Sequence, residues 1–237
     1  PIFLIDGKNI RQPIKSMPGV YRYSLDKINQ VIDRAIKIGL PMIALFPYTH
    51  QNKKNLLGSE ALNENNLVCK ALKQIKKKYK NEIGIMCDVA LDPYTSHGHD
   101  GLLSSGYVLN DETINVLINQ SLLQAQMGCD VLAPSDMMDG RIGMIRKSLD
   151  KNGYKMTQIL SYAIKYASSF YEPFRNAVGS IRRYEFLCEV PTPATCTLAS
   201  RTSLSCSTKE YCSQRTTRAL TVLPASTPLS ASRSTAG

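Results

Sequence analysis

Asp130–Arg146 reads DVLAPSDMMDGRIGMIR. An apolar run of strand length, Asp130–Ala133, stops at a proline and a polar turn, and a helix opens at Gly140. Ser135, Asp136 and Asp139 occupy the turn, and Gly140 and Gly143 relax the backbone there. Their plainest role is an N-cap network for the helix, which is compatible with a functional role as well. A strand that passes through a polar turn straight into a helix is one unit of an α/β fold.

The same unit recurs on either side. Ile2–Ile5, Met42–Phe46, Ile83–Val89 and Gln158–Tyr162 are short, apolar and partly β-branched, as strands covered on both faces should be. Amphipathic stretches alternate with them. Leu25–Ile38 gathers Ile28, Val31, Ile32, Ala35, Ile36 and Ile38 on one broad face, and Glu60–Tyr79 and Thr113–Met127 behave similarly. Asn110-Asp111-Glu112 opens the last of these with a capping residue and early acids. Repeated β-then-α units predict a parallel sheet with right-handed crossovers. Five units are visible; a closed α/β barrel needs eight, whereas an open doubly wound sheet can stop at five. No glycine-rich dinucleotide loop follows the first strand.

Composition narrows the function classes. The 237 residues suffice for one large domain, and no apolar run approaches the ~20 residues of a membrane span. The chain opens at Pro1, directly in a strand and without a secretory leader, which predicts that residues upstream belong to the intact protein. Seven cysteines without metal spacing point to a reducing cytoplasm, with Cys87 and Cys129 as core residues. The net charge is +10, of which +6 arises in residues 1–180. Its densest cluster is Lys70, Lys73, Lys76, Lys77, Lys78 and Lys80, interleaved with Leu72, Ile75 and Tyr79 at helical spacing. That is the pattern of a solvated helix face rather than a phosphate-binding stripe, so no nucleic-acid partner is expected. From Pro191 the chain is crowded with Ser, Thr, Ala and Arg and keeps no helical or strand period. The expected organisation is a catalytic domain over 1–180 and a tail over 181–237, disordered or foreign to the domain, as a shifted reading frame would make it.

Two more segments carry chemistry. Cys87–Gly101, CDVALDPYTSHGHDG, ends a strand in Asp88 and then brings Asp92, His97, His99 and Asp100 together in a turn-rich loop. A metal site and a loop capped by its own side chains stand about equal on these residues alone. Ser161–Arg175, SYAIKYASSFYEPFR, places Lys165 among apolar neighbours. An apolar pocket lowers a lysine's pKa and frees the amine to attack a ketone. Arg175 could grip a carboxylate through its guanidinium fork. The plainer account has Lys165 reaching solvent and Arg175 in a surface pair, and for a lone lysine that account wins.

Taken together, APSDMMDGRIG, SYAIKYASSFYEPFR, SMPGVYRYS at Ser16–Ser24 and GSEA at Gly58–Ala61 resemble the porphobilinogen synthase (5-aminolevulinate dehydratase) family over residues 1–180. The resemblance implies a TIM barrel, here without its C-terminal strands. It implies an enzyme, a lyase of haem biosynthesis that condenses two 5-aminolevulinate molecules to porphobilinogen through lysine Schiff bases. It makes Lys165 the first of two such lysines, Asp88 and Ser135 active-site polar groups, and Arg175 and Tyr171 substrate contacts. It implies a cytoplasmic homo-octamer. Ala90, Asp92 and Asp100 stand where zinc-dependent members carry three cysteines, so no active-site zinc is expected, and magnesium would sit outside the recognisable segment. Glu172 and Asn176 stand where Gly and Asp are usual. The family's second lysine has no counterpart in 181–237, where Lys209 lies in a polar STKEY context, so this chain is expected to be inactive. Two other readings remain. A different Schiff-base aldolase would use Lys165 on another carbonyl, and a basic nucleic-acid-binding protein would use the Lys70–Lys80 helix and the Arg-containing tail.

Overall fold

The computed structural model describes residues 1–162 and 172–180. Lys165, Tyr171 and the whole tail from 181 lie outside the described residues, which all fall in the unit Pro1–Leu187. In chain order the main elements are β1 (Ile2–Ile5), β2 (Arg11–Pro13), β3 (Tyr21–Tyr23), α1 (Leu25–Lys37), β4 (Met42–Tyr48), α2 (Leu67–Tyr79) and β5 (Gly84–Val89). They continue with β6 (Leu102–Ser104), β7 (Tyr107–Leu109), α3 (Asn110–Gln126), β8 (Val131–Pro134), α4 (Arg141–Lys151), β9 (Gln158–Ile159) and α5 (Glu172–Val178).

The central sheet runs β2-β3-β1-β4-β5-β8-β9. From β3 to β9 every neighbouring pair is parallel, and only β2 is antiparallel to its neighbour. The five expected strands are therefore consecutive neighbours, β1-β4-β5-β8-β9, joined by helical crossovers. β6 and β7 form a separate antiparallel hairpin between β5 and α3.

Alternation along each strand makes two cores. Ile2, Leu4, Ile43, Leu45, Ile85, Cys87, Val89 and Leu132 pack against the helices, with Ile28 and Ile32 from α1, Leu72 and Ile75 from α2 and Leu117 from α3. The opposite face carries Phe3 and Phe46, which join Ile14, Ala177 and Val178 in a second cluster. This second face would be the inside of a barrel, and α5 is packed onto it. The strand signal was clearest in β1 and β8, whose residues are all buried.

Four local expectations fail. Ile38, expected on the apolar face of α1, caps the C-terminal end of that helix and is 68% exposed. The stretch Glu60–Tyr79 is not one helix: a 3-10 turn at Ser59–Leu62 stops, and α2 starts only at Leu67. Asn63 accepts from the Asn65 amide, and Asn66 caps α2 by accepting from the Cys69 amide at 2.8 Å. Asparagine side chains thus compete with the helical backbone and break the run. Asn110 is the first residue of α3 and not its cap, because its side-chain oxygen accepts from the Asp139 amide instead. Nor do Ser135, Asp136 and Asp139 cap α4; Gly140 holds that position in the left-handed region, without a side-chain cap bond. The basic helix behaves as expected: Leu72, Ile75 and Tyr79 are buried, Lys76 pairs with Asp130 at 2.7 Å and Lys78 with Asp33 at 3.3 Å. Among the described residues no helix is long and apolar enough to cross a membrane.

Candidate active site

β5, β8 and β9 end side by side. Asp88 stands level with Ala133, and the ladder continues as the Ser135 amide donates to the Val89 carbonyl at 3.2 Å. Beyond the two residues of β9, Leu160 still donates to Leu132 and Tyr162 to Pro134. The strand expected over Gln158–Tyr162 is thus paired along its length, and Lys165 follows it by three positions in the sequence. Asp88 lies between Cys87 and Val89, both of which face the helices, so its carboxylate takes the inner face. Ala133 shares that face by register, and Ser135 follows it by one strand period. Asp88 is half-buried and Ser135 is buried. The structure thus brings Asp88 and Ser135 together at the C-terminal ends of adjacent parallel strands, where barrel enzymes carry their chemistry.

Arg141 braces these ends. Its guanidinium lies 3.0 Å from the Asp136 carboxylate and donates to the Met138 carbonyl at 2.9 Å and to the Tyr162 carbonyl at 3.3 Å. Both partners of the ion pair are buried. Asp136 also accepts from the Met138 amide at 2.7 Å, which tightens the turn after β8. Behind β5, Gln124 on α3 donates to the Asp88 carbonyl at 3.0 Å and Gln120 to the Ala90 carbonyl at 3.3 Å. Sequence reasoning passed over Arg141, Gln120 and Gln124. Buried polar residues at helical spacing are a signal only when the facing backbone is known.

The fourth component arrives from far along the chain. α5 lays Phe174 against Phe46 and Phe3 on the inner face, with ring centroids 4.9 and 5.9 Å away. Arg175 follows on the same short helix and is half-buried. Lys165 and Tyr171, expected beside it, lie outside the described residues.

In the loop after β5 both imidazoles act as turn caps. His97 Nδ1 accepts from the His99 amide at 3.1 Å, and His99 Nδ1 accepts from the Gly101 amide at 2.9 Å. His97 Nε2 meets the Leu56 carbonyl at 3.4 Å. Burial lowers the His97 pKa, opposed by the Leu56 contact. Both Nδ1 atoms are therefore committed as acceptors, which is the capped-loop account of this segment. Ala90, Asp92 and Asp100 are all buried. As a zinc set they do not fit, since Ala90 has no donor atom and two carboxylates lack the soft ligands zinc favours. Among the described residues no group of three His, Cys, Asp or Glu side chains could hold a metal ion. Lys54 is buried nearby; desolvation lowers its pKa, opposed by Asp92. Cys69, Cys87 and Cys129 are free and buried, and burial pushes the Cys69 thiol up to about 11, so it stays protonated and inert.

Comparison with known proteins matches this arrangement. The family model described as delta-aminolevulinic acid dehydratase covers residues 1–190. A delta-aminolevulinic acid dehydratase of Bradyrhizobium diazoefficiens is 58% identical over 182 residues, 77% of this chain and 51% of that protein. One from Chlamydia pneumoniae is 47% identical over 180 residues, 76% of this chain and 54% of that protein. This chain therefore spans about half the length of these relatives. A crystal structure of the Toxoplasma gondii enzyme in complex with the reaction product porphobilinogen superposes with a TM-score of 0.77 at 36% identity, over 91% of this chain and 60% of that one. The five-strand arc described above is thus part of a TIM barrel.

Proposed function

The chain belongs to the delta-aminolevulinic acid dehydratase family, and from that premise we propose that it carries the first-lysine half of a porphobilinogen synthase site. The reaction is the condensation of two 5-aminolevulinate molecules to porphobilinogen with loss of water. The observation that carries this reading is the pair Asp88 and Ser135, set on one face at the ends of β5 and β8, next to the strand that leads into Lys165.

The chemistry follows from the side chains. The Lys165 amine attacks the ketone carbon of one substrate, and a carbinolamine forms. Loss of its hydroxyl as water needs a proton at that oxygen and removal of one from nitrogen. The Asp88 carboxyl is the group on this face able to carry a proton in either direction. The Ser135 hydroxyl can donate to the substrate oxygen and fix its orientation. Arg175 would hold the substrate carboxylate bidentately, and Tyr171 would be a further substrate contact. The imine then acts as an electron sink for bond formation to the second substrate.

Zinc has no part in this reading, because Ala90, Asp92 and Asp100 do not fit it. Magnesium would bind elsewhere, and the intact protein would work as a cytoplasmic homo-octamer; the support for these is the family resemblance.

The test is borohydride reduction in the presence of 5-aminolevulinate, followed by peptide mass mapping. A reduced adduct on the Lys165 peptide is expected, and zinc-selective chelation should leave its yield unchanged. Adducts only at other lysines would defeat the assignment.

A further inference from the structure

The helix that bears Arg175 is too short to persist alone. α5 has 7 residues, and isolated helices below roughly 12–15 residues are marginal in water. Its last carbonyls need donors from elsewhere. The Arg175 carbonyl is met locally by the Ser180 amide at 3.0 Å, and the next two are met from the first quarter of the chain. Arg22 Nε donates to the Ala177 carbonyl at 2.7 Å, and Arg22 Nη2 donates to the Asn176 carbonyl. Lys54 Nζ donates to the carbonyl of Gly179, the residue directly after the helix, at 2.7 Å. At the other end Ser16 Oγ donates to the Pro173 carbonyl at 3.3 Å.

Arg22 is itself held on every side. It sits on β3, paired with Phe3 of β1. Its Nη1 donates to Gln12 Oε1 at 2.8 Å, and its guanidinium carbon lies 4.3 Å from the centroid of the Tyr48 ring. The same tyrosine seats Gly179: that residue has φ +67°, and a Cβ there would come within 2.5 Å of the ring. Two cations at the C-terminal end of α5 also match the negative end of its dipole. One rigid frame, β1, β3 and the end of β4, therefore grips the last described turn of the chain, 155 residues away from Arg22.

We propose that Arg22 and Lys54 are positioning residues for substrate-carboxylate recognition: by capping α5 they fix the direction in which Arg175 presents its guanidinium. This rests on the reading of Lys165 and Arg175 given above. Both side chains are spent on the end of α5, so their loss should weaken the grip on the carboxylate and leave imine formation itself intact.

The test separates these effects by substrate. The concentration dependence of borohydride trapping at Lys165 is measured with 5-aminolevulinate and with aminoacetone, which has the same amino ketone but no carboxylate. In R22A the half-saturating 5-aminolevulinate concentration should rise about tenfold or more, as small misplacements of an anchoring group do. The aminoacetone curve should not move. R22K keeps one donor and should recover part of the loss. K54M, which keeps the apolar stem, should show the same selective shift, and it decides the matter if R22A melts early. Equal loss with both ketones, or no loss with either, overturns the inference. Failure of the parent chain to trap either ketone removes the Schiff-base reading and this inference with it, whereas trapping that is indifferent to Arg22 and Lys54 removes the inference alone.

Discussion

The ring of Phe174 meets the ring of Phe46 edge-on, with centroids 4.9 Å apart. This contact ties α5 to the inner face of β4, and Phe3 of β1 completes the aromatic cluster. Phe46 and Phe3 are buried, while Phe174 is half-buried. Truncating a fully buried phenylalanine costs about 3–5 kcal/mol, so F174A should cost about 2 kcal/mol. Denaturant melts would measure it. The loss should be felt first in α5, so hydrogen exchange should rise over 172–180 before the sheet amides change. Uniform exchange across the sheet would contradict the local character of the anchor.

The Asp136–Arg141 pair should tolerate no single deletion. Both side chains are buried 3.0 Å apart, and removing one partner of such a pair leaves a charge without compensation, at roughly 3–5 kcal/mol. R141M and D136N should both lower the melting temperature strongly. The double variant should be less destabilised than the sum of the two. A double-mutant cycle with no coupling would show that the pair does not hold the turn after β8.

Acid should loosen the loop after β5. His97 Nδ1 accepts a hydrogen bond from the His99 amide, and burial keeps the ring's pKa below 6.5 in the fold. The unfolded chain therefore binds more protons than the folded one in that range. Stability from this group is fully present above the unfolded value of about 6.5 and is lost as pH falls through the folded pKa. An asparagine can accept the same amide bond without titrating. Melting temperatures across this window should fall less steeply for H97N than for the parent. Parallel curves would exclude His97 from the acid response.

Much of the fold was legible because β1, β4 and β8 are apolar on both faces. Ile2–Ile5 and Met42–Phe46 could be read directly, and the second of these runs on to Tyr48 only because Pro47 and Tyr48 keep pairing with β1. Helix starts were harder, since Asn63, Asn66 and Asn110 make side-chain bonds that period alone does not reveal. Of the site, Asp88 and Ser135 were named by the family resemblance, and the register sets them at the ends of adjacent strands. The braces were not: Arg22 looked like an ordinary basic residue in SMPGVYRYS, and its partners Asn176 and Ala177 lie more than 150 residues on. Local pattern carries no trace of such a contact. The two histidines were ambiguous until their Nδ1 partners were known.

The 237-residue polypeptide should bind one substrate covalently and go no further. Residues 181–237 contain one lysine, Lys209, flanked by Thr208 and Glu210. A lysine among polar neighbours keeps its proton at neutral pH and is a poor nucleophile. The two-lysine mechanism needs both substrates anchored, and fixing two reactants in register supplies much of the rate of such a reaction. On the proposed reading, Lys165 alone would form the first imine, and the second substrate would arrive unactivated from solution. Borohydride treatment with excess 5-aminolevulinate should therefore add one adduct per chain, on the Lys165 peptide, and porphobilinogen should not accumulate in the unreduced sample. A second adduct on the Lys209 peptide together with product formation would overturn this, and would make the tail a working part of the site.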